Sequence, residues 1–180
     1  MTSRVHDPRR LDVAAAAAAG AELAGRGPLS ELARLADGAA GQVDEPVVWS
    51  ARFEQRRESG GPPQVWLQLQ ARAHVARECQ RCLQPVLLVL DVDRAFRFAP
   101  SEDEAAAIDA ESEDDVLALS RQFDLRELIE DEFLLALPIV PKHEQCPTPL
   151  ISAALLQDET SVAPSPPFAA LASLKRGIGQ

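Results

Sequence analysis

The chain has 180 residues, 28 of them acidic against 18 Lys and Arg, for a net charge of −10. That length suits one ordinary domain with trailing segments. The charge opposes nucleic acid as a default partner, and the lack of any run of about 18 strongly apolar residues argues against a transmembrane helix. Aromatics are only 4% and Tyr is absent, so the core must come mainly from Leu and Val. Three cysteines make a poor disulfide framework. Reduced thiols in the cytosol are the expectation, and the protein reads as cytoplasmic.

Arg4, Arg9 and Arg10 precede Val13 and six alanines, a loose imitation of a signal peptide. Asp12 before the run, the lack of Leu within it and Glu22 after it point instead to an Ala-rich helix. Two helices are predicted, over 11–24 and 28–37, separated by Gly25 and Gly27-Pro28. Residues 1–45 are expected to form an N-terminal helical region.

From Val47 the apolar period changes to two. Val47, Trp49, Ala51 and Phe53 alternate with polar neighbours, which predicts a half-buried strand. Gly60-Gly61-Pro62-Pro63 marks a turn. A second strand carries Val65, Leu67, Leu69, Ala71, Ala73 and Val75 on one face, with Gln68, Gln70, Arg72 and His74 on the other. After Cys79-Gln80-Arg81-Cys82, a third strand runs from about Val86 to Phe98. Short links between three strands predict an antiparallel meander, curled or closed into a small barrel to protect its edges.

Residues 101–115 are acidic and Ala-rich, and read as a solvated loop or short helix. Val116 to Phe123 is predicted to return to the sheet. Asp124 reads as a helix cap with Glu127 three residues on, opening a helix that Pro138 ends. The fold class is therefore α+β: a curled antiparallel sheet, N-terminal helices and one long packed helix near 124–137. Residues 46–146 form the expected β-rich core. Residues 147–180, rich in Pro and Ser, are expected to be a largely flexible tail.

Charge is uneven along the chain. Residues 49–98 hold eight arginines against five acids, whereas residues 100–132 hold thirteen acids against two arginines. Direct RNA contact is expected only in the first stretch. The second suits a basic partner such as a ribosomal protein.

Cys79-x-x-Cys82 has the spacing with which one tight turn offers two thiolates to a tetrahedral metal. His143-x-x-Cys146, after the helix, supplies a second half, and together they make a Cys3His set suited to structural zinc. Arg77 and Arg81 beside the thiols would favour thiolates. Two other readings stay open. One is a redox pair, which needs a helix N-terminus that the Leu83-Gln84-Pro85 run does not offer. The other is small thiols packed in a turn. His74 is a spare ligand, better placed on the polar face of its strand, and His6 reads as part of a loose terminus. Glu130-Asp131-Glu132 suggests paired carboxylates or magnesium. Consecutive helical residues point about 100° apart, so a solvated face or a surface for a basic partner fits better. Trp49 and Trp66 offer base-stacking surfaces, though packing suits them better. No G-x-S-x-G, Walker loop or G-x-G-x-x-G after a strand is present.

Three blocks together resemble the YceD family of large ribosomal RNA subunit accumulation proteins. They are Cys79-Gln-Arg-Cys-Leu, then Phe123-Asp-Leu-Arg-Glu-Leu-Ile-Glu-Asp-Glu-Phe-Leu-Leu-Ala-Leu-Pro-Ile-Val-Pro-Lys-His143 with Cys146, then Pro167-Phe-Ala-Ala-Leu-Ala-Ser-Leu-Lys175. The resemblance spans roughly residues 45–176 and implies a bacterial factor needed for normal 23S ribosomal RNA levels. It implies no catalytic residue. The Ala-rich start and extended acidic loop look particular to this chain, and the short His143–Cys146 gap makes their reach to one metal a question for the structure. The reading is a non-enzymatic biogenesis factor with structural zinc on Cys79, Cys82, His143 and Cys146. It would act through a ribosomal protein or pre-ribosomal RNA, with Arg81, Glu130, Asp131 and Glu132 as contact residues. The alternative is an RNA-processing enzyme that uses the acidic cluster with a metal.

Overall fold

A computed structural model of the chain describes residues 7–57 and 61–147. The chain divides into two compact units, Met1–Glu144 and Gln145–Gln180, and only residues 145–147 of the second are described. His6 and residues 148–180 of the expected tail lie outside the described residues.

The Ala-rich run forms helix α1, Val13–Ala19. Asp12 caps it by accepting from Ala15 N–H at 3.0 Å, and Gly20, left-handed at φ 59°, ends it. The predicted helix over 11–24 is therefore cut short. The chain enters strand β1, Glu22–Gly27, instead. Gly25 is required there, because a Cβ would meet the Trp49 indole at 2.5 Å. The second predicted helix is also shorter: a 3-10 turn at Leu29–Glu31, then α2 at Ala33–Ala36.

Strands β2 (Val47–Arg56), β3 (Gln64–Glu78) and β4 (Pro85–Ala99) form the expected meander. β3 and β4 pair without a bulge from Glu78↔Pro85 to Val65↔Phe98. Helix α3, Glu102–Asp109, then carries the chain over to strand β5, Asp115–Ala118, which runs parallel to β4. The sheet is thus mixed and open, in the order β1-β2-β3-β4-β5, rather than wholly antiparallel or closed. The predicted strand at 116–123 keeps only its first part. Phe123 instead bridges Leu11 and meets Phe98 edge-to-face, with ring centroids 5.4 Å apart.

Period-two patterning decides the layers. Leu67, Leu69, Ala73 and Val75 of β3 turn to one face and are fully buried. They share one core with Val13 of α1, Leu35 of α2 and Leu125, Ile129 and Phe133 of helix α4, Leu125–Ala136. Asp124 caps α4 by accepting from Arg126 and Glu127 N–H at 2.9 and 3.0 Å. The other sheet face carries paired polar side chains, among them Arg72 with Asp91.

Glu130 holds α4 to α2. Its carboxylate accepts from Arg34 N–H (2.7 Å), Leu35 N–H (3.1 Å) and Arg34 Nε (3.1 Å). Leu32, the residue before α2, has no capping side chain, so the carboxylate from α4 takes that role. Replacing it strands two backbone donors. Glu130→Ala is expected to cost about 2–3 kcal/mol, read as a lower urea midpoint at unchanged slope. A midpoint equal to the parent's contradicts the capping role.

Candidate metal centre

The turn between β3 and β4 is made by its own backbone. Cys79 N–H donates to Gln84 O and Leu83 N–H to Cys79 O, both at 2.9 Å. Leu83 is left-handed at φ 60°, the one non-Gly residue so placed among those described. This tight loop points Cys79 and Cys82 to the same side, as a metal-binding knuckle requires.

The second half arrives from α4. Leu137 is extended and Pro138 stops the helix, so the chain turns back toward the hairpin. Gln80 N–H donates to Pro141 O at 2.9 Å. The Arg81 guanidinium donates to the carbonyls of His143 and, at 3.3 Å, Glu144. Arg81 therefore clamps this segment.

His143 then lies against both thiols. Its Nδ1 is 3.4 Å from Cys82 Sγ, and its backbone N–H meets Cys79 Sγ at 3.5 Å. Its Nε2 is 3.1 Å from Pro85 O. A carbonyl only accepts, so Nε2 carries a proton in this contact, and in the neutral imidazole that tautomer leaves the lone pair on Nδ1. This is the device by which a backbone carbonyl fixes a metal-binding imidazole.

Cys79, Cys82, His143 and Cys146 each offer one ligand atom, and these atoms lie within 4.8 Å of one another. A tetrahedral zinc with ~2.3 Å bonds to sulfur needs sulfur–sulfur edges of about 3.8 Å, so the set fits with small adjustments. Cys79 is fully buried, while Cys82, His143 and Cys146 are half-buried. A donor set of three thiols and one imidazole matches that of a closed structural centre rather than an open catalytic one.

Burial pushes the Cys79 thiol up. The backbone N–H groups of Arg81, Cys82 and His143, with the His143 side chain, more than offset it and hold the thiol at about 5. The expected help from guanidinium groups is not the cause. Arg77 instead donates to Leu35 O at 2.7 Å, away from the thiols.

The other sequence candidates scatter. Glu130 and Glu132 are only 9% and 8% exposed, so the acidic run is no solvated face. Glu130 is engaged at α2, Asp131 pairs with Arg34 at 2.6 Å, and Glu132 turns toward Arg94 at 3.9 Å. Burial raises the Glu132 carboxyl, against the pull of Arg94. The three carboxylates do not converge. Trp49 packs on Gly25, and Trp66 lies under Arg56 at 4.4 Å and is nearly buried, so both pack as expected. His74 sits on the outer face with Glu45. The sequence did not reveal the carbonyls of Pro85 and Pro141, since backbone groups leave no residue-type signal.

No helix among the described residues is long and apolar enough to cross a membrane. A family model described as "Large ribosomal RNA subunit accumulation protein YceD" matches residues 67–175. The chain is 34% identical over 106 residues to the protein of that name from Haemophilus influenzae. That alignment covers 55% of this chain and 59% of the relative's length. No solved structure matches.

Protein purified anaerobically without added zinc is expected to carry about one zinc per chain, lost in Cys79→Ser and lowering the melting temperature when chelated. Metal content near zero in the parent protein ends the zinc assignment.

Proposed function

The chain belongs to the YceD family, and from that premise we propose that it is a bacterial factor supporting accumulation of 23S large-subunit ribosomal RNA. It acts without catalysis, as a scaffold that binds a partner during ribosome assembly in the cytoplasm. The observation that carries this reading is the span of the family match. Residues 67–175 include the whole knuckle, the acidic block and α4. The metal site is structural zinc on Cys79, Cys82, His143 and Cys146, and zinc there supplies cross-linking of chain segments distant in sequence.

The enzymatic alternative would use Glu130, Asp131 and Glu132 around a cation. Their carboxylates are turned to α2, Arg34 and Arg94, so no observation favours it. A protein partner suits the charge better than bare RNA does, since thirteen acids lie between residues 100 and 132.

Deleting the gene in its host is expected to lower the 23S to 16S ratio, measured by quantitative RNA blot. The parent gene restores it, Glu132→Gln restores it, and Cys79→Ser does so poorly. An unchanged ratio on deletion refutes the role. Magnesium-dependent RNA cleavage by the purified protein, abolished by Glu132→Gln, replaces the scaffold reading with the enzymatic one.

A further inference from the structure

Among the described residues, the fifteen-residue strand β4 has a strand paired along nearly its whole length on one side only. β3 pairs with residues 85–98, whereas β5 pairs with Phe96–Ala99 alone. The lane beside β4 is therefore filled for its last four rows. Among the described residues no backbone group bonds to rows 86–94 from that side.

The ladder decides which groups face the lane. In an antiparallel pair, successive residues turn their N–H and C=O alternately toward and away from the partner. Leu119 N–H donates to Ala99 O, so the odd-numbered residues of β4 face the β5 side. His143 Nε2 meets Pro85 O, which agrees with that parity and closes the lane at the knuckle. Leu87, Val89, Asp91 and Asp93 thus present four N–H and four C=O groups to the open lane. At about 3.4 Å per residue it is roughly 30 Å long, room for a strand of eight or nine residues.

The chemistry along the lane is graded. At the knuckle end Leu87 and Val89 are 58% and 54% exposed on the outer face, although they are among the most β-prone residue types. A bare apolar edge of this kind is one that proteins ordinarily blunt. Farther along come Asp91 and Asp93, and beyond them the acids Glu111, Glu113, Asp114 and Asp115 leading into β5. Arg94 and Arg97 pair with only Asp115 and Asp114 of these.

We propose that the vacant lane beside β4 is a strand-addition site for an extended segment of a basic protein. The segment would set alternate apolar side chains beside Leu87 and Val89 and Lys or Arg beside Asp93 and the acids before β5. Backbone pairing selects a polypeptide over RNA, and the acidic end selects a cationic one. The proposal rests on the scaffold reading above and names the chemistry of its partner. The metal knuckle gains a purpose within it: His143 fixes the closed end of the lane through Pro85.

The test uses the full zinc-loaded chain and a synthetic ten-residue peptide with Val and Thr alternating in its first half and Lys and Thr in its second. Fluorescence anisotropy is expected to show saturable binding that weakens with salt. Hydrogen exchange is expected to show new protection at Leu87, Val89, Asp91 and Asp93. Val89→Pro removes a lane-facing N–H and spares the β3 ladder, so it is expected to weaken binding at least ~10-fold. Unchanged melting of the variant confirms that it folds, and Val89→Thr serves as a second, milder edge variant. A peptide with Glu for Lys is expected to bind at least ~10-fold more weakly.

Protection of those four amides without peptide overturns the proposal. In a monomer it means that another part of the chain fills the lane, and in a dimer that a second copy does. Tighter binding of a twelve-nucleotide single-stranded RNA than of the peptide also overturns it. A normal 23S to 16S ratio on gene deletion refutes the scaffold role independently of any peptide result, so the two failures are distinguishable.

Discussion

Gln80 N–H donates to Pro141 O, and beside that bond Arg81 holds the carbonyls of His143 and Glu144. These contacts join two parts of the chain about sixty residues apart, the β3–β4 turn and the exit from α4. The candidate ligand set follows from them. Cys79 and Cys82 are fixed by the turn, but His143 reaches them only because Pro138 ends α4 and the arginine clamps the returning segment. The Pro85 carbonyl then sets the imidazole tautomer. Closing so long a loop costs the chain entropy, and a bound metal offsets that cost only in the folded state.

The same constraint links the centre to the sheet. Pro85 is both the carbonyl partner of His143 and the first residue of β4. A knuckle that orders Pro85 therefore orders the start of the longest unpaired edge among the described residues. The acids are separated by role in a similar way. Glu130 caps a helix and Glu132 is buried toward Arg94, while the acids before β5 stay at the surface. One charged stretch thus serves packing at one end and leaves an electrostatic face at the other.

Much of this was legible in the sequence, for reasons tied to particular residues. Alternation at Val47–Phe53 and Val65–Val75 marked strands because one face of each had to be buried. Asp124 and Pro138 bracketed α4 because a cap and a missing N–H act locally. The Cys3His set was readable because thiol and imidazole chemistry is carried by residue type. The strand at Glu22–Gly27 was hidden: Leu23 and Ala24 have no strong period, and its signal, Gly25 beneath Trp49, is a tertiary contact. The parallel course of β5 depends on how α3 crosses the sheet, which no local pattern encodes. Glu130 read as a surface charge because its partners are backbone N–H groups on an element 96 residues away.

On the proposed reading, three thiolates and the Nδ1 of His143 hold one structural metal between the hairpin and the end of α4. X-ray absorption at the zinc edge of the purified protein tests it most directly. The account predicts a four-coordinate centre with three sulfur neighbours at ~2.3 Å and one nitrogen at ~2.0 Å, and one sulfur fewer in Cys146→Ser. A centre of oxygen and nitrogen neighbours, or one whose sulfur count is unchanged in that variant, contradicts it.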